Sequence, residues 1–283
     1  MTEARAARIE RIELSGADQA ALIRAVDALE KTTFASRITN LLGQQVARAG
    51  QFVPERIRGV AHHGANIALR AAMGAALRSL GKGQRPASSR FHRAALAASG
   101  AAGGALGFAA LPFELPASTI LMLRAIADMA RAQGEDMGNP ETALACLEVF
   151  ALGGRTEADD HLESSYFAIR TLLARSMSEA SRYVLEKGLV DEAAPILVKL
   201  ASKIAARFGL VLSQKVAAQA IPIIGAMGGA AVNLAFLQNF EQIAEGHFTV
   251  RRLERIYGAD GVRAEYERLR TDALGPAAAP SAT

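Results

Sequence analysis

The amino-acid sequence predicts an all-α fold, a single helical bundle domain over residues 18–258. Three observations carry this. Apolar residues recur at spacings of three and four along almost the whole chain. No run of β-branched residues with a period of two occurs, and no alternation of strand and helix patterns. The chain of 283 residues is 51% hydrophobic but only 5% aromatic, without Trp. Sixty alanines give it a core of small side chains between which helices can approach closely. Residues 1–17 read as a charged N-terminal extension, and 259–283 as a polar helix remnant with a disordered Pro/Ala-rich tail. No linker longer than a loop divides the chain.

The elements follow in order. Asp18 is the expected N-cap of a helix in which Leu22, Val26, Leu29, Phe34, Ile38, Leu41, Leu42 and Val46 recur up to Gly50. Pro54 suits the first position of the next helix, whose stripe of small residues is Val60, Gly64, Ala68, Ala72, Ala75 and Ala76. The segment Gly81-Lys82-Gly83-Gln84-Arg85-Pro86 reads as a loop. Prolines at 112 and 116 in LPFELP are expected to break the chain, with Pro116 opening a helix to Gly134. Asn139-Pro140 is an N-cap followed by proline at the first helical position, and Gly153-Gly154 ends that helix. Thr156 and Asp159 have the spacing of a capping box for a helix to Gly188. Pro195 starts another. Pro222 and Gly225 split the run that follows, and the last long helix continues to Gly258.

Several function classes are excluded or left without support. A single cysteine, Cys146, leaves no intrachain disulfide and no Cys-based zinc site. The charged start MTEARAARIERIE lacks the apolar region of a cleaved signal peptide. A net charge of +4 is far below that of a dedicated nucleic-acid binder. Nucleophile elbows, Walker loops, HExxH and dinucleotide-binding glycines do not occur, so no cofactor is expected.

Two stretches stand out. Residues 94–113 contain no charge, and Glu114 is the one charge before Arg124; residues 216–240 are also charge-free. Each has the length of a spanning helix, about 20 residues. Their Ala and Gly content gives little transfer free energy, and Pro112, Pro116 and Pro222 interrupt them. They are expected to form two Gly/Ala-rich, proline-broken hairpins at the bundle centre, either as soluble core or entering one membrane leaflet. Gly104, Gly107, Gly225 and Gly229 are the expected points of close helix contact.

These blocks also carry a resemblance. ALPFELPASTILMLRAIADMARAQGED, CLEVFALGG, AIPIIGAMGGAAVNLAFLQNF and AEGHFTVRRLERIYG occur in the order seen in the EcsC family, and the chain resembles that family from about residue 20 to 258. The resemblance implies a bacterial, mainly helical protein without an established catalytic mechanism. The family is named for a protein encoded beside ABC-transporter subunits and is suspected of membrane association.

Among candidate binding residues, Glu114 reads as a polar anchor or proton-sensitive group at a hairpin tip. Equally, it reads as a carboxylate held by helix N–H groups or by an Arg. Arg124, Asp128 and Arg131 share a helix face, as a solvated ladder or as partners for Glu114 or Glu148. His247 lies one turn before Arg251, with Arg252 and Arg255 beyond. Such a cluster holds a phosphate or lipid headgroup, or simply complements a helix end. Asp159, Asp160, His161 and Glu163 do not share a face as metal ligands would, and no metal site is expected. His62, His63 and His92 have no ligand partner at helical spacing. Cys146 reads as a buried small hydrophobe.

The expected function is non-catalytic. The protein would act at the cytoplasmic face of the inner membrane, with anionic lipid or a membrane protein such as a transporter subunit as partner. The alternative is a hydrolase acting on lipid or peptide, which a cleft gathering Glu114, Glu148 and His247 would favour.

Overall fold

The computed structural model describes residues 12–31, 34, 55–78, 94–99, 111–154, 165–187, 194–219 and 225–274. The chain order is α1 (Gly16–Val26), a π-helical turn (Asp27–Lys31), α2 (Glu55–Arg78), α3 (Leu111–Ala132), α4 (Pro140–Leu152), α5 (Tyr166–Lys187), α6 (Pro195–Gln219), α7 (Gly225–Tyr257) and α8 (Ala259–Leu274). Residues 94–99 are also helical, and no strand occurs among the described residues. The fold is an all-α single domain.

The first cap lies three residues earlier than expected. Ser15 is the N-cap of α1, and its hydroxyl accepts the Asp18 N–H. Asp18 is instead the acidic residue three positions after the cap, where its carboxylate accepts from the Ser15 hydroxyl at 2.9 Å and favours the positive helix end. Asn139 caps α4 as the sequence predicts, with Pro140 in the first turn. The expected capping box at Thr156 and Asp159 lies outside the described residues, and Asp160, His161 and Glu163 lie there with it. In the described chain α5 begins at Tyr166, where the Ser165 hydroxyl accepts the Ala168 N–H.

LPFELP requires a correction. It is continuous helix, and Pro116 lies inside α3. Because α3 starts at Leu111, Pro112 falls in the first turn, where its missing N–H would be unpaired anyway. Pro116 then forfeits one intrahelical bond, to the Pro112 carbonyl. The Ser118 and Thr119 hydroxyls both donate to the Leu115 carbonyl, at 3.2 and 2.7 Å, along the same turn.

The helix α4 is the centre of the bundle. It meets α2, α3, α5, α6 and α7, and from Pro140 to Leu152 all but Glu141 are buried. A helix apolar all round has no solvent face to present. Its Phe150 joins Phe208, Phe236 and Phe240 in one cluster, with ring centroids 5.0–6.0 Å apart. The small-residue face of α2 consists of Ala61, Ala65, Ala68, Leu69, Ala72, Met73 and Ala76, while Val60 is exposed.

Two contacts at opposite ends show that α3 and α7 run parallel. Glu114 near the start of α3 meets Asn233 near the start of α7, and Glu135 just past α3 meets Arg251 near the end of α7. The helix α6 runs the other way, since its Phe208 faces Phe236 and Phe240 while its Lys215 reaches Glu114. Gly134, at φ +78°, turns the chain out of α3, with the Glu135 N–H returning to the Ala130 carbonyl.

Past Gly258, at φ +88°, the expected helix remnant is a full helix to Leu274, with Val262 and Tyr266 buried in the core. Ile12 and Leu14 also pack against the core. Residues 275–283 lie outside the described chain.

Candidate functional site

Two buried polar assemblies are built into this apolar frame. The first joins α3, α6 and α7. Lys215 Nζ donates to Glu114 Oε1 at 2.8 Å, and Asn233 Nδ2 donates to the same oxygen at 3.0 Å. The Asn233 amide also donates to the Leu96 carbonyl at 3.1 Å, tying in the segment 94–99. Lys215 is fully buried, with its ammonium 4.9 Å from the Phe236 ring centroid. Burial alone would raise the Glu114 pKa. The Lys215 charge and hydrogen bond outweigh it, with help from Asn233 and Ser118, and hold the carboxyl below its usual range. Glu114 is therefore buried as expected, but its partner is a lysine rather than an arginine or helix N–H groups.

The second assembly links α4, α5 and α7. Arg170 makes a two-pronged pair with Glu254, at 2.7 and 3.1 Å, and Arg170 Nη1 also donates to the Tyr166 hydroxyl at 3.2 Å. That hydroxyl lies 3.0 Å from His247 Nδ1. On the far side of the ring, His247 Nε2 is 3.8 Å from Glu148 Oε2. His247, Glu148 and Tyr166 are all buried. Burial, with Arg170 and Arg251 nearby, pushes the His247 pKa well below its ordinary value. Burial also pushes Glu148 up to about 7, against the opposing charges of Arg170 and Arg251. Glu30, in the π-helical turn, supports the assembly from beneath: its Oε1 accepts from the Tyr166 N–H at 3.0 Å and the Tyr266 hydroxyl at 2.9 Å.

The arginines at the end of α7 are taken up by carboxylates. Arg251 forms a two-pronged pair with Glu135 at 2.9 and 3.1 Å, and Arg255 joins the same carboxylate. Arg252 pairs with Asp18 at 2.9 Å and with the Gln133 side chain at 3.0 Å. These groups are thus committed to closing α1 and the turn after α3 onto α7, rather than standing free for a headgroup. Arg124 is exposed on α3, and Asp128 bridges to Arg131 at 2.7 Å, so that ladder does not reach Glu114. Glu148 and His247 come together, but Glu114 does not join them. Asn233 and His247 are fourteen residues apart on one helix, roughly 21 Å at 1.5 Å per residue.

Cys146 is buried, and burial pushes its thiol up to about 12, so it is no activated nucleophile. Among the described residues, no group of three or more His, Cys, Asp or Glu side chains could hold a metal ion. Gly104, Gly107 and His92 lie outside the described residues. Gly229 is buried on α7, and nothing is described around Gly225. Close approaches occur at Gly154, which the sequence marks as a helix end, and at Gly209. A Cβ on Gly154 would strike the Arg207 carbonyl, and one on Gly209 would lie 2.5 Å from His62 Nδ1.

The family model described as the EcsC protein family matches residues 20–253. The chain belongs to the EcsC family. No curated protein and no solved structure matches it. Within this EcsC chain the matched region holds both buried assemblies, from Glu30 to Arg251; only Glu254 and Tyr266 fall beyond it. No helix of the described residues is long and apolar enough to cross a membrane.

Sequence reasoning missed Lys215, Asn233, Tyr166, Arg170, Glu254 and Glu135. Two signals were present. Lys215 is the last charge before the run 216–240, the counterpart of the lone Glu114 in the other run. Tyr166 and Arg170 stand four apart, on one helix face.

Proposed function

We propose that the protein is a non-catalytic helical protein that attaches to the inner membrane from the cytoplasmic side, through the end of the bundle where its charge-free segments meet. The observation that carries this is the contrast between Phe113 and Glu114. Phe113 is 82% exposed at the start of α3. The carboxylate next to it is turned inward onto Lys215. Residues 94–123 and 215–240 contain just these two charges. Their mutual burial removes both from the surface of that end.

A buried ion pair is a poor source of net stability, because desolvation offsets most of its attraction. Its value here is that an apolar end needs no charge facing lipid. Attachment is then driven by apolar burial, at about 25 cal/mol per Å² removed from water. The α7 arginines, being paired, contribute little, so headgroup charge is a secondary factor. A hydrolase reading finds less support. Its acid and base, Glu148 and His247, are both buried.

Flotation with neutral and with anionic vesicles, at 0.1 and 1 M salt, tests the proposal. The expected result is flotation with both vesicle types that survives 1 M salt and is lost in Phe113→Asp. Binding restricted to anionic vesicles and abolished by salt would transfer the role to the arginines. No flotation under any condition would overturn membrane attachment altogether.

A further inference from the structure

The direction of every hydrogen bond in the Arg170–Tyr166–His247 chain follows from its first member. A guanidinium only donates. The Tyr166 oxygen therefore accepts from Arg170, and its own hydrogen must go elsewhere. His247 Nδ1, at 3.0 Å, is the acceptor that the described residues offer it. Nδ1 is thus unprotonated, and a neutral ring carries its hydrogen on Nε2. That atom makes no hydrogen bond and faces the Glu148 carboxyl across 3.8 Å. Both ends of the gap are buried.

The groups around the gap come from every packed element. Tyr166 and Arg170 lie on α5, and Arg251 and Glu254 on α7, where Arg251 is already held by Glu135. From α6, Arg207 donates to the Ala151 carbonyl one turn beyond Glu148. On α3, Arg131 is engaged by Asp128. The face that α2 buries is apolar, from Ala61 to Leu77. The π-helical turn supplies Glu30, whose Oε1 accepts from the Tyr166 N–H and from the hydroxyl of Tyr266 on α8.

We propose that Glu148 and His247 form a proton switch between α4 and α7, in which the imidazole is locked as the neutral Nε2–H form and Glu148 takes up and releases the proton. With Glu148 protonated, the gap is a contact between two neutral groups. When the proton leaves for solvent, the new carboxylate attracts the Nε2–H, and the gap closes to a charge-assisted hydrogen bond. The central helix is drawn onto α7. Burial that raises the Glu148 pKa to about 7 places this event near neutrality. Tyr166 is a positioning residue: it acts on Glu148 by fixing which nitrogen of His247 faces it.

The switch does not depend on membrane attachment, and the test uses the free protein. Imidazole 15N spectra report the tautomer, and the Glu148 carboxyl 13C shift reports its ionisation, from pH 5.5 to 8.5. The expected result is a neutral Nε2–H ring for His247 throughout, with its Hε2 signal moving in step with the Glu148 carboxyl near pH 7. Glu148→Gln should keep the tautomer and abolish the Hε2 movement. Tyr166→Phe should release the lock and give a mixture of tautomers, which a purely structural role for the hydroxyl would not produce. An Nδ1–H ring or an imidazolium in that range would overturn the proposal, as would a Glu148 that is ionised throughout.

Discussion

Glu114 and Glu148 are both buried carboxylates, and their neighbours drive their protonation in opposite directions. Glu114 has a lysine at 2.8 Å and stays ionised. Glu148 has a neutral imidazole at 3.8 Å and holds its proton to about 7. The consequences for stability follow from linkage. His247, neutral when folded, takes a proton below about 6.5 when unfolded, so stability falls as pH drops beneath that value. Glu148 loses its proton near 4.5 when unfolded and near 7 when folded, so its contribution falls as pH rises between those values. The two slopes oppose each other between about 4.5 and 6.5. Unfolding in that window moves a proton from Glu148 to His247 with no net uptake. Glu148→Gln removes the second slope. Relative to wild type, the variant should gain on the order of 3 kcal/mol between pH 4.5 and 7, measured by urea unfolding at several pH values. A difference that does not change with pH would contradict the proton assignment. Lys215→Met strands the Glu114 carboxylate and should cost about 3–5 kcal/mol. Adding Glu114→Gln should recover much of that loss, because the stranded charge is then gone. Of these residues the sequence made Glu114 conspicuous, by isolating it among apolar neighbours. It could not name Lys215, since the two are 101 positions apart and meet only when α3 and α6 pack. The same holds for Glu148 and His247, individually visible and joined only by the fold.

Helix periodicity made most elements legible, and the misreadings have local physical causes. The break expected at LPFELP assumed that Pro116 must open a helix. The helix starts five residues earlier, and one proline in its second turn costs a single intrahelical bond. Continuity there is what turns Glu114 inward while leaving Phe113 outside. The N-cap is Ser15 rather than Asp18: the Ser15 hydroxyl accepts the Asp18 N–H and donates to the Asp18 carboxylate, while the Ser15 N–H turns to the Tyr257 hydroxyl. The last helix was undervalued because its composition is polar. Its two buried residues, Val262 and Tyr266, are enough to dock it on Tyr166 and Phe167, at ring distances of 5.4 and 5.1 Å. Close packing at glycine was expected in the charge-free runs, and within the described residues a close approach to backbone occurs where α4 ends against α6. Gly154 abuts the Arg207 backbone carbonyl, which cannot rotate aside as a side chain can. Gly154→Ala should therefore destabilise by about 1–3 kcal/mol in thermal or urea unfolding. An unchanged midpoint would show that α4 and α6 can part at no cost.

At the scale of the whole molecule, the bundle has two dissimilar ends. At one, α3 and α7 begin beside the Glu114–Lys215–Asn233 assembly, with Phe113 outside it. At the other they finish in a mesh of Glu135, Arg251, Arg255, Asp18 and Arg252. The helix α3, which begins at one end and finishes at the other, has 22 residues, so the ends stand roughly 33 Å apart along it. The absence of Trp from the chain allows a direct reading of which end meets lipid. Phe113→Trp and Ile256→Trp each place a single indole at an exposed apolar position, one at either end. Their fluorescence is followed as vesicles containing brominated lipid are added in 1 M salt. Attachment through the Phe113 end gives a blue shift and quenching for Phe113→Trp and no change for Ile256→Trp. A silent Phe113→Trp, or a response confined to Ile256→Trp, would contradict it.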